Sequence, residues 1–195
     1  MGKIFCIMGK SSSGKDTIFK ILKEDEKLNL KAVISYTTRP KRHDETDGVE
    51  YYFIDNEILK QYKLKNKIIE LRKYNTIQGI WYYCTIDDGQ IDLQKNNYII
   101  ISTLQSFTSL KKFFGSSNVI PVYIEVEDGL RIERALIREK SQDKPDYVEM
   151  CRRFIADSED FSEENIKDCG MAKRYSNVNL EKCISSIKKS IYFYL

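Results

Sequence analysis

The chain of 195 residues has one histidine, three prolines and five cysteines, and these scarcities exclude several kinds of site. With His43 as the only histidine, the sequence argues against a zinc centre, and we expect His43 to lie in an exposed loop. The cysteines form no C-x-x-C pair and their number is odd, which indicates reduced thiols rather than a disulfide framework. No apolar run approaches the length of a membrane span. We therefore expect a soluble, cytoplasmic protein.

An excess of charge of one sign is also missing. Lys and Arg number 32 against 29 Asp and Glu, and the net charge of +3 is too small to indicate a nucleic-acid partner. A chain of this length suits one domain with a full-sized core. We predict a monomer or homodimer whose partners are small molecules, with no nucleic acid and no membrane among them.

A glycine-rich loop follows the first apolar run, Ile4 to Met8. It reads Gly9-Lys10-Ser11-Ser12-Ser13-Gly14-Lys15-Asp16. Glycines at both ends let backbone N–H groups turn inward around a phosphate, the following helix offers its positive N-terminal end, and Lys15 adds a point charge. The pattern predicts a site for a nucleoside triphosphate. The alternative is a plain strand-to-helix turn that binds nothing.

The last position of this loop departs from the usual pattern, which ends in Ser or Thr. Asp16 stands where a hydroxyl would ligate Mg²⁺, and Thr17 follows it. Because a carboxylate is a hard oxygen ligand, Asp16 is a candidate metal ligand. In the alternative interpretation, Asp16 only favours the first turn of its helix electrostatically.

Apolar strands alternate with amphipathic helices along the rest of the chain. The pattern predicts strands over 3–8, 32–35, 98–101 and 119–125, and helices over 16–26, 106–114, 129–139, 144–165 and 180–193. We expect the last helix to bury one face formed by Leu180, Ile184, Ile187 and Ile191. This order indicates an open α/β sheet that binds ligands at the carboxyl ends of its strands.

The stretch 36–92 differs in composition and is predicted to be an inserted polar lobe. Together with the residue before it, the start of this stretch reads Ser35-Tyr36-Thr37-Thr38-Arg39-Pro40-Lys41-Arg42. Two arginines three apart, with a proline between them, can converge on one phosphate, and such pairs are strong and directional. The segment therefore predicts a second phosphate site, although a solvated basic loop is the simpler alternative.

Carboxylates and tyrosines follow in the same lobe. Carboxylates can accept hydrogen bonds from N1–H and the amino group of guanine, while tyrosines supply flat walls and hydroxyls that reach a phosphate. Each tyrosine taken singly is explained by ordinary packing. The candidates are Glu45, Asp47 to Phe53, Glu70 and Trp81 to Thr85.

Taken in order, these segments resemble the guanylate kinase family over most of the chain. The family has the same loop, then S-x-T-T-R-x-x-R, D-G-x-x-Y-x-F, a glutamate ahead of a Y-Y-G-T-like stretch, a strand followed by D-x-Q-G, and late arginines. The resemblance implies a three-layer α/β fold of the P-loop NTPase type with a central parallel sheet. It divides one domain into a core (about 1–35, 93–135 and 155–195), an acceptor-binding lobe (about 36–92) and a helical lid (about 136–154).

The resemblance implies transfer of the γ-phosphate of ATP to GMP, with Mg²⁺ as the metal. The residues implied for ATP are Gly9, Ser11, Ser12, Ser13, Gly14, Lys15, Asp16, Thr17 and Asn177. Those implied for the acceptor are Ser35, Glu70 and Thr85 toward guanine, and Arg39, Arg42, Tyr51 and Tyr83 toward the phosphate, with Glu45 as a further substrate-binding residue. Catalysis is implied for Lys15, Arg138 and Arg153, and metal binding is predicted for Asp16.

Three positions depart from the family pattern. Cys84 replaces the glycine of Y-Y-G-T, the interval from Glu70 to Tyr83 is longer than usual, and Ser102-Thr103-Leu104-Gln105 lacks the acid of D-x-Q-G. Two alternatives stay open. An Asp that ends the phosphate loop also resembles the related ribose 1,5-bisphosphate kinases, and a guanylate-kinase-like domain can be a non-catalytic binding module.

Overall fold

A computed structural model describes residues 1–43, 45–76 and 79–195. In chain order the elements are β1 (Ile4–Met8), α1 (Lys15–Lys23), β2 (Leu30–Ala32), β3 (Tyr36–Thr37), β4 (Tyr52–Phe53), α2 (Asn56–Leu64), β5 (Ile68–Thr76), β6 (Gly79–Ile86), β7 (Asn97–Ile101), α3 (Leu104–Phe114), β8 (Val119–Glu125), α4 (Asp128–Lys140), α5 (Tyr147–Asp160), α6 (Glu163–Asp168), β9 (Arg174–Ser176) and α7 (Leu180–Tyr192).

Five strands form a parallel sheet in the order β2-β7-β1-β8-β9. Strand β1 is buried along its whole length because helices cover both faces of the sheet. Its alternate residues enter two cores: Ile4 and Cys6 pack with α3 and α6, whereas Phe5 and Ile7 pack with α1 and α7. The predicted three-layer fold with a central parallel sheet is confirmed.

A second sheet of four strands, in the order β4-β3-β6-β5, is formed within the segment from Tyr36 to Ile86. Strands β5 and β6 make a long antiparallel hairpin. The helix α2 covers this sheet through a small core in which Leu59 meets Tyr36, Cys84 and Ile86. The hairpin register sets Glu70 opposite Thr85 and brings the side chains of this polar segment together.

Several sequence-based boundaries were wrong. Of the strand predicted over 32–35, only Ala32 is in a strand, because β2 ends there and β3 begins at Tyr36 in the other sheet. The helix predicted over 144–165 is two helices, and the Ser162 hydroxyl caps the second by accepting from the Asn165 N–H. Helix α2 and strand β9 were not predicted. In α7, Cys183 joins Ile187 and Ile191 in the core, while Leu180 is exposed.

Within the described residues, every helix is too short or too polar to traverse a lipid bilayer. The five cysteines are free thiols, and His43 is exposed as predicted.

Candidate active site

The phosphate loop joins β1 to α1 at the carboxyl edge of the parallel sheet. Gly14 ends the loop in the left-handed region, with φ of 83°, and forms the N-cap of α1. A Cβ atom at Gly14 would lie 2.4 Å from the Asn177 amide nitrogen, so close approach as well as backbone conformation requires glycine here. That amide nitrogen donates to the Ser13 carbonyl at 2.8 Å. Asn177 thereby braces the loop from the end of β9.

Polar atoms at this loop are buried without an internal partner. Within the described chain, the hydroxyls of Ser12 and Ser13 and the amide oxygen of Asn177 have no hydrogen bond. Such a group costs about 1–3 kcal/mol when it stays unsatisfied. Hydroxyls can donate to phosphate oxygens, and the amide oxygen can accept from a base amino group. The donor set therefore fits a nucleotide polyphosphate.

Cationic side chains converge on Lys15. Burial lowers the pKa of Lys15, Asp16 and Asp157 oppose this shift, and the positive charges of Arg153 and Arg138 lower the pKa further. Of the two arginines predicted for catalysis, Arg153 of α5 also contacts the loop that carries Lys15, because its Nη2 donates to the Ser11 hydroxyl.

Ser11 is held by three residues that come from α4 and α5. Its N–H donates to Asp157 Oδ2 at 2.7 Å, its carbonyl accepts from Arg131 Nε at 3.0 Å, and its hydroxyl accepts from Arg153 Nη2 at 3.3 Å. Arg131 also bonds Asp157 Oδ2 at 3.1 Å and is only 1% exposed. The phosphate loop is thus fixed to α5 by an ion pair between the buried Arg131 and the half-buried Asp157.

Neither Arg131 nor Asp157 was predicted from the sequence. Asp157 follows Arg153 by four residues on α5, and this spacing puts both on one helix face. That spacing was the available signal for Asp157. No sequence pattern indicated Arg131, because its burial depends on the packing of α4 against α5.

The second basic segment is organised by Glu45. Arg39 Nη1 and Nη2 donate to the Glu45 carboxylate at 2.9 and 2.6 Å, and Arg39 Nε donates to the Tyr83 hydroxyl at 3.1 Å. The Arg42 N–H also donates to Glu45, at 2.8 Å, while the Arg42 side chain is exposed. Arg39 is 4% exposed. The fork of Arg39 is therefore bound within the lobe, whereas that of Arg42 faces solvent.

Aromatic rings surround this cluster. Tyr83 makes edge-to-face pairs with Tyr51 and Tyr74, each with ring centroids 5.5 Å apart. Burial raises the pKa of Tyr51, as does Tyr83, while Arg72 and Arg39 act in the opposite direction. The Asp16 charge also raises the Tyr51 pKa. The tyrosine cluster is consequently within electrostatic range of the phosphate loop.

Glu70 lies on β5, and its side chain is 1% exposed. Its Oε1 accepts from the Thr85 hydroxyl at 3.1 Å. Arg72 donates to both carboxylate oxygens, through Nε at 3.1 Å and Nη2 at 3.2 Å. Ser35 is buried and its carbonyl accepts from the Tyr52 N–H. Glu70 and Thr85 are in direct contact, as their predicted common role requires.

Arg72 was not predicted as a site residue. The signal was present, since residues two apart on a strand share a face, and Arg72 therefore shares a face of β5 with Glu70.

The structure thus contains a phosphate loop and an arginine–tyrosine cluster that is accompanied by a buried carboxylate, and known proteins match this chain. The family model for guanylate kinase matches residues 1–167. This chain belongs to the guanylate kinase family. Members of that family are nucleoside monophosphate kinases that bind nucleotide substrates, so the predicted function and enzyme class are confirmed.

Relatives match nearly the whole chain. The guanylate kinase of Porphyromonas gingivalis is 26% identical over 197 residues, which cover 98% of this chain and 97% of the relative. The guanylate kinase of Mesomycoplasma hyopneumoniae strain 7448 is 26% identical over 199 residues, covering 98% and 94%. The crystal structure of guanylate kinase from Anaplasma phagocytophilum has a TM-score of 0.64 at 20% identity, covers 98% of this chain and 85% of that chain, and shares the fold.

Two departures from the guanylate kinase pattern have structural explanations. Cys84 is buried in the small core under α2, and burial, with a contribution from Glu70, raises the pKa of its thiol to about 12. Thr103, at the position of the missing acid, is the N-cap of α3, where its hydroxyl accepts from the Ser106 N–H at 3.2 Å. Ser, Thr and Asp all serve as N-caps, so α3 can begin without the acid.

The described residues offer few protein ligands for a metal ion. In the part of the chain that the structure describes, no group of three His, Cys, Asp or Glu side chains could hold an ion. Asp16 and Thr17 are exposed on the first turn of α1. Mg²⁺ in kinases is commonly bound by one or two carboxylates together with substrate phosphates. One carboxylate beside a phosphate loop fits that arrangement.

Proposed function

We propose that this chain transfers the γ-phosphoryl group of ATP to GMP, with ADP and GDP as products. The observation that carries this proposal is the buried Glu70 carboxylate, which accepts from the Thr85 hydroxyl at 3.1 Å in the lobe. The same chain has a phosphate loop in which the Ser12 and Ser13 hydroxyls are buried without a partner among the described residues. A donor site and a separate acceptor site are what phosphoryl transfer between two nucleotides requires.

The donor site is proposed at the phosphate loop. Backbone N–H groups between Gly9 and Lys15, with the unpaired hydroxyls of Ser12 and Ser13, would bind the triphosphate. The amide oxygen of Asn177 would accept from the adenine amino group. Ser11 and Thr17 would complete this site.

Asp16 is the residue proposed to hold Mg²⁺, together with phosphate oxygens. When bound, the ion supplies Lewis-acid neutralisation of the β- and γ-phosphates.

The acceptor site is proposed in the lobe of residues 36–92. Arg42, with its exposed fork, and the hydroxyls of Tyr51 and Tyr83 would bind the GMP phosphate. Arg39 and Glu45 would orient Tyr83 and the backbone of Arg42 through their ion pair. Glu70, Thr85 and Ser35 would face guanine. Tyr83, which is bonded to Arg39, and Thr85, which is bonded to Glu70, lie two residues apart on β6, and this supports a single continuous acceptor site.

Catalysis would rest on alignment and charge neutralisation. The second pKa of a phosphate monoester is near about 6, so the acceptor is largely dianionic at neutral pH and attacks without a general base. Lys15, Arg138 and Arg153 would neutralise the charge of the transferring group. We propose that residues 136–154 close over the donor as a lid and that the lobe closes over the acceptor.

A coupled ADP-release assay tests the proposal with GMP, dGMP, AMP, UMP and ribose 1,5-bisphosphate as acceptors. We expect GMP to have the highest kcat/KM, and Lys15→Ala to lose turnover with every acceptor. If kcat/KM is higher with ribose 1,5-bisphosphate than with GMP, ribose 1,5-bisphosphate is the preferred acceptor and the proposal of GMP is wrong. Binding of acidic or phosphorylated peptides without any turnover would instead support a binding module. A cytoplasmic location and a monomeric or homodimeric state stay predictions from the sequence.

A further inference from the structure

Arg72 makes a side-on contact with the carboxylate proposed to face guanine. Its Nε and Nη2 each donate to a different oxygen of Glu70. A planar guanidinium used in this way presents two parallel N–H groups. The N1–H and amino group of guanine form a similar parallel pair. A carboxylate has only one pair of parallel lone pairs, one on each oxygen, that can accept such a pair of donors. Arg72 and guanine therefore cannot both make this two-bond contact with Glu70 at once.

The opposite edge of Arg72 is directed away from Glu70. Within residues 1–43, 45–76 and 79–195, Nη1 makes no hydrogen bond. The guanidinium carbon lies 5.8 Å from the ring centroid of Tyr83, and the Tyr83 ring makes an edge-to-face contact with Tyr51. Tyr51 and Tyr83 are the two tyrosines proposed for the acceptor phosphate. Arg72 thus lies between the proposed base site and the proposed phosphate site.

Burial makes it costly to separate Arg72 from Glu70. The two side chains are 13% and 1% exposed. Separating them without new partners would leave two poorly solvated charges unpaired. GMP offers a replacement for each, because its base donates to Glu70 and its dianionic phosphate can accept from Arg72. Guanosine offers only the first replacement, AMP offers only the second, and adenosine offers neither.

We propose that Arg72 is a specificity-determining residue that makes guanine recognition depend on the acceptor phosphate. Without a phosphate nearby, Arg72 keeps Glu70 occupied and the pocket discriminates weakly between bases. With the phosphate bound, Arg72 moves to it and Glu70 accepts from guanine. This inference rests on the proposed function, since it assumes that the lobe binds GMP.

A ligand cycle measures this dependence directly. The dissociation constants of GMP, AMP, guanosine and adenosine are measured by NMR titration, without ATP, for the wild-type protein and for Arg72→Met. The decisive quantity compares base discrimination with and without a phosphate. It is the ratio of the dissociation constants of AMP and GMP, divided by the ratio of the dissociation constants of adenosine and guanosine. We expect about tenfold or more for the wild type and about one for Arg72→Met, because an unpaired buried polar group costs on the order of tenfold in binding. Guanosine should bind more tightly to Arg72→Met than to the wild type.

Two further variants control for folding. Arg72→Lys keeps the positive charge but lacks the fork, and it takes the place of Arg72→Met if that variant does not fold. The ratio measured for Arg72→Lys is expected to be lower than that of the wild type. Arg174→Met removes another arginine bound to carboxylates, Glu125 and Glu163, away from the lobe, and should leave the ratio unchanged.

The inference is overturned by a wild-type ratio near one, by Arg72 variants that keep the wild-type ratio, or by guanosine binding that weakens in Arg72→Met. GMP phosphorylation together with any of these results removes only this inference. A wild-type protein that neither binds nor phosphorylates GMP removes the proposed function as well.

Discussion

Asp157 accepts a hydrogen bond from the backbone N–H of Ser11 at 2.7 Å, although 146 residues separate them. The same carboxylate oxygen is bonded to Arg131, which also binds the Ser11 carbonyl. One ion pair therefore fixes both polar backbone groups of a phosphate-loop residue. Because Asp157 and Arg153 lie on one face of α5, movement of that helix is coupled to the loop.

Replacement of Asp157 should destabilise the protein and weaken ATP binding. Asp157→Ala leaves the Ser11 N–H without its acceptor and leaves Arg131 with Asp128 as its remaining carboxylate partner, and an unsatisfied buried donor costs about 1–3 kcal/mol. We expect the free energy of unfolding in urea to fall by about 2 kcal/mol, and the KM for ATP to rise. Glu159→Ala, on an exposed position of the same helix, is the matched control. Equal effects of the two variants would contradict a role for the ion pair.

Replacement of Arg42 should affect the acceptor and not the donor. In Arg42→Ala, the GMP KM should rise and kcat should fall, because a misplaced acceptor phosphate loses orientation as well as binding. Initial-rate kinetics against each nucleotide measure both constants, with exposed Lys41→Ala as the control. Equal weakening of ATP and GMP would show that Arg42 belongs to neither phosphate site alone.

Replacement of Glu70 should narrow the base preference. Glu70→Gln keeps the shape of the side chain but replaces one acceptor by a donor, so the kcat/KM ratio of GMP to AMP should fall by an amount equivalent to about 1–3 kcal/mol. An unchanged ratio would assign base recognition to another residue. Two other carboxylates of the lobe, Glu45 and Asp87, are engaged in ion pairs with Arg39 and Lys67.

Variants at positions 16 and 103 test whether Asp16 takes over a metal-binding role from the acid that is missing at Thr103. As a metal ligand, Asp16→Ala should reduce kcat and the Mg²⁺ response much more than the melting temperature. Adding Thr103→Asp to that variant should partly restore activity, since Asp also caps a helix and α3 should persist. If Asp16→Ala lowers the melting temperature but keeps its Mg²⁺ response, Asp16 is only a helix-start residue.

Thiol reactivity should separate the buried cysteines from Cys151. Burial raises the pKa of Cys6 and of Cys84 to about 12, although the Ser102 hydroxyl acts against the shift at Cys6. A raised pKa keeps the thiol protonated, so at pH 8 only about one molecule in ten thousand carries the thiolate that reacts. Iodoacetamide labelling of the folded protein, followed by mass spectrometry, should modify exposed Cys151 first. Labelling of Cys84 at the rate of Cys151 would contradict this expectation.

The sequence by itself determined the features that depend on neighbouring residues. The phosphate loop was predictable because its glycines, Lys15 and the flanking strand and helix are contiguous. The buried strands β1, β7 and β8 were predictable because a parallel sheet covered on both faces requires continuous apolar runs. The ordered motifs of the lobe were sufficient to predict the family.

Only the tertiary structure decided which charged groups are paired and which remain open to a ligand. The sequence predicted that Arg39 and Arg42 share one phosphate, but folding bonds the fork of Arg39 to Glu45 and leaves that of Arg42 exposed. It predicted Glu70 as a base-facing carboxylate, but not that Arg72 occupies both of its oxygens. Side-chain pairing depends on distances and burial that strand register and helix packing set across the whole chain, so no local pattern encodes it.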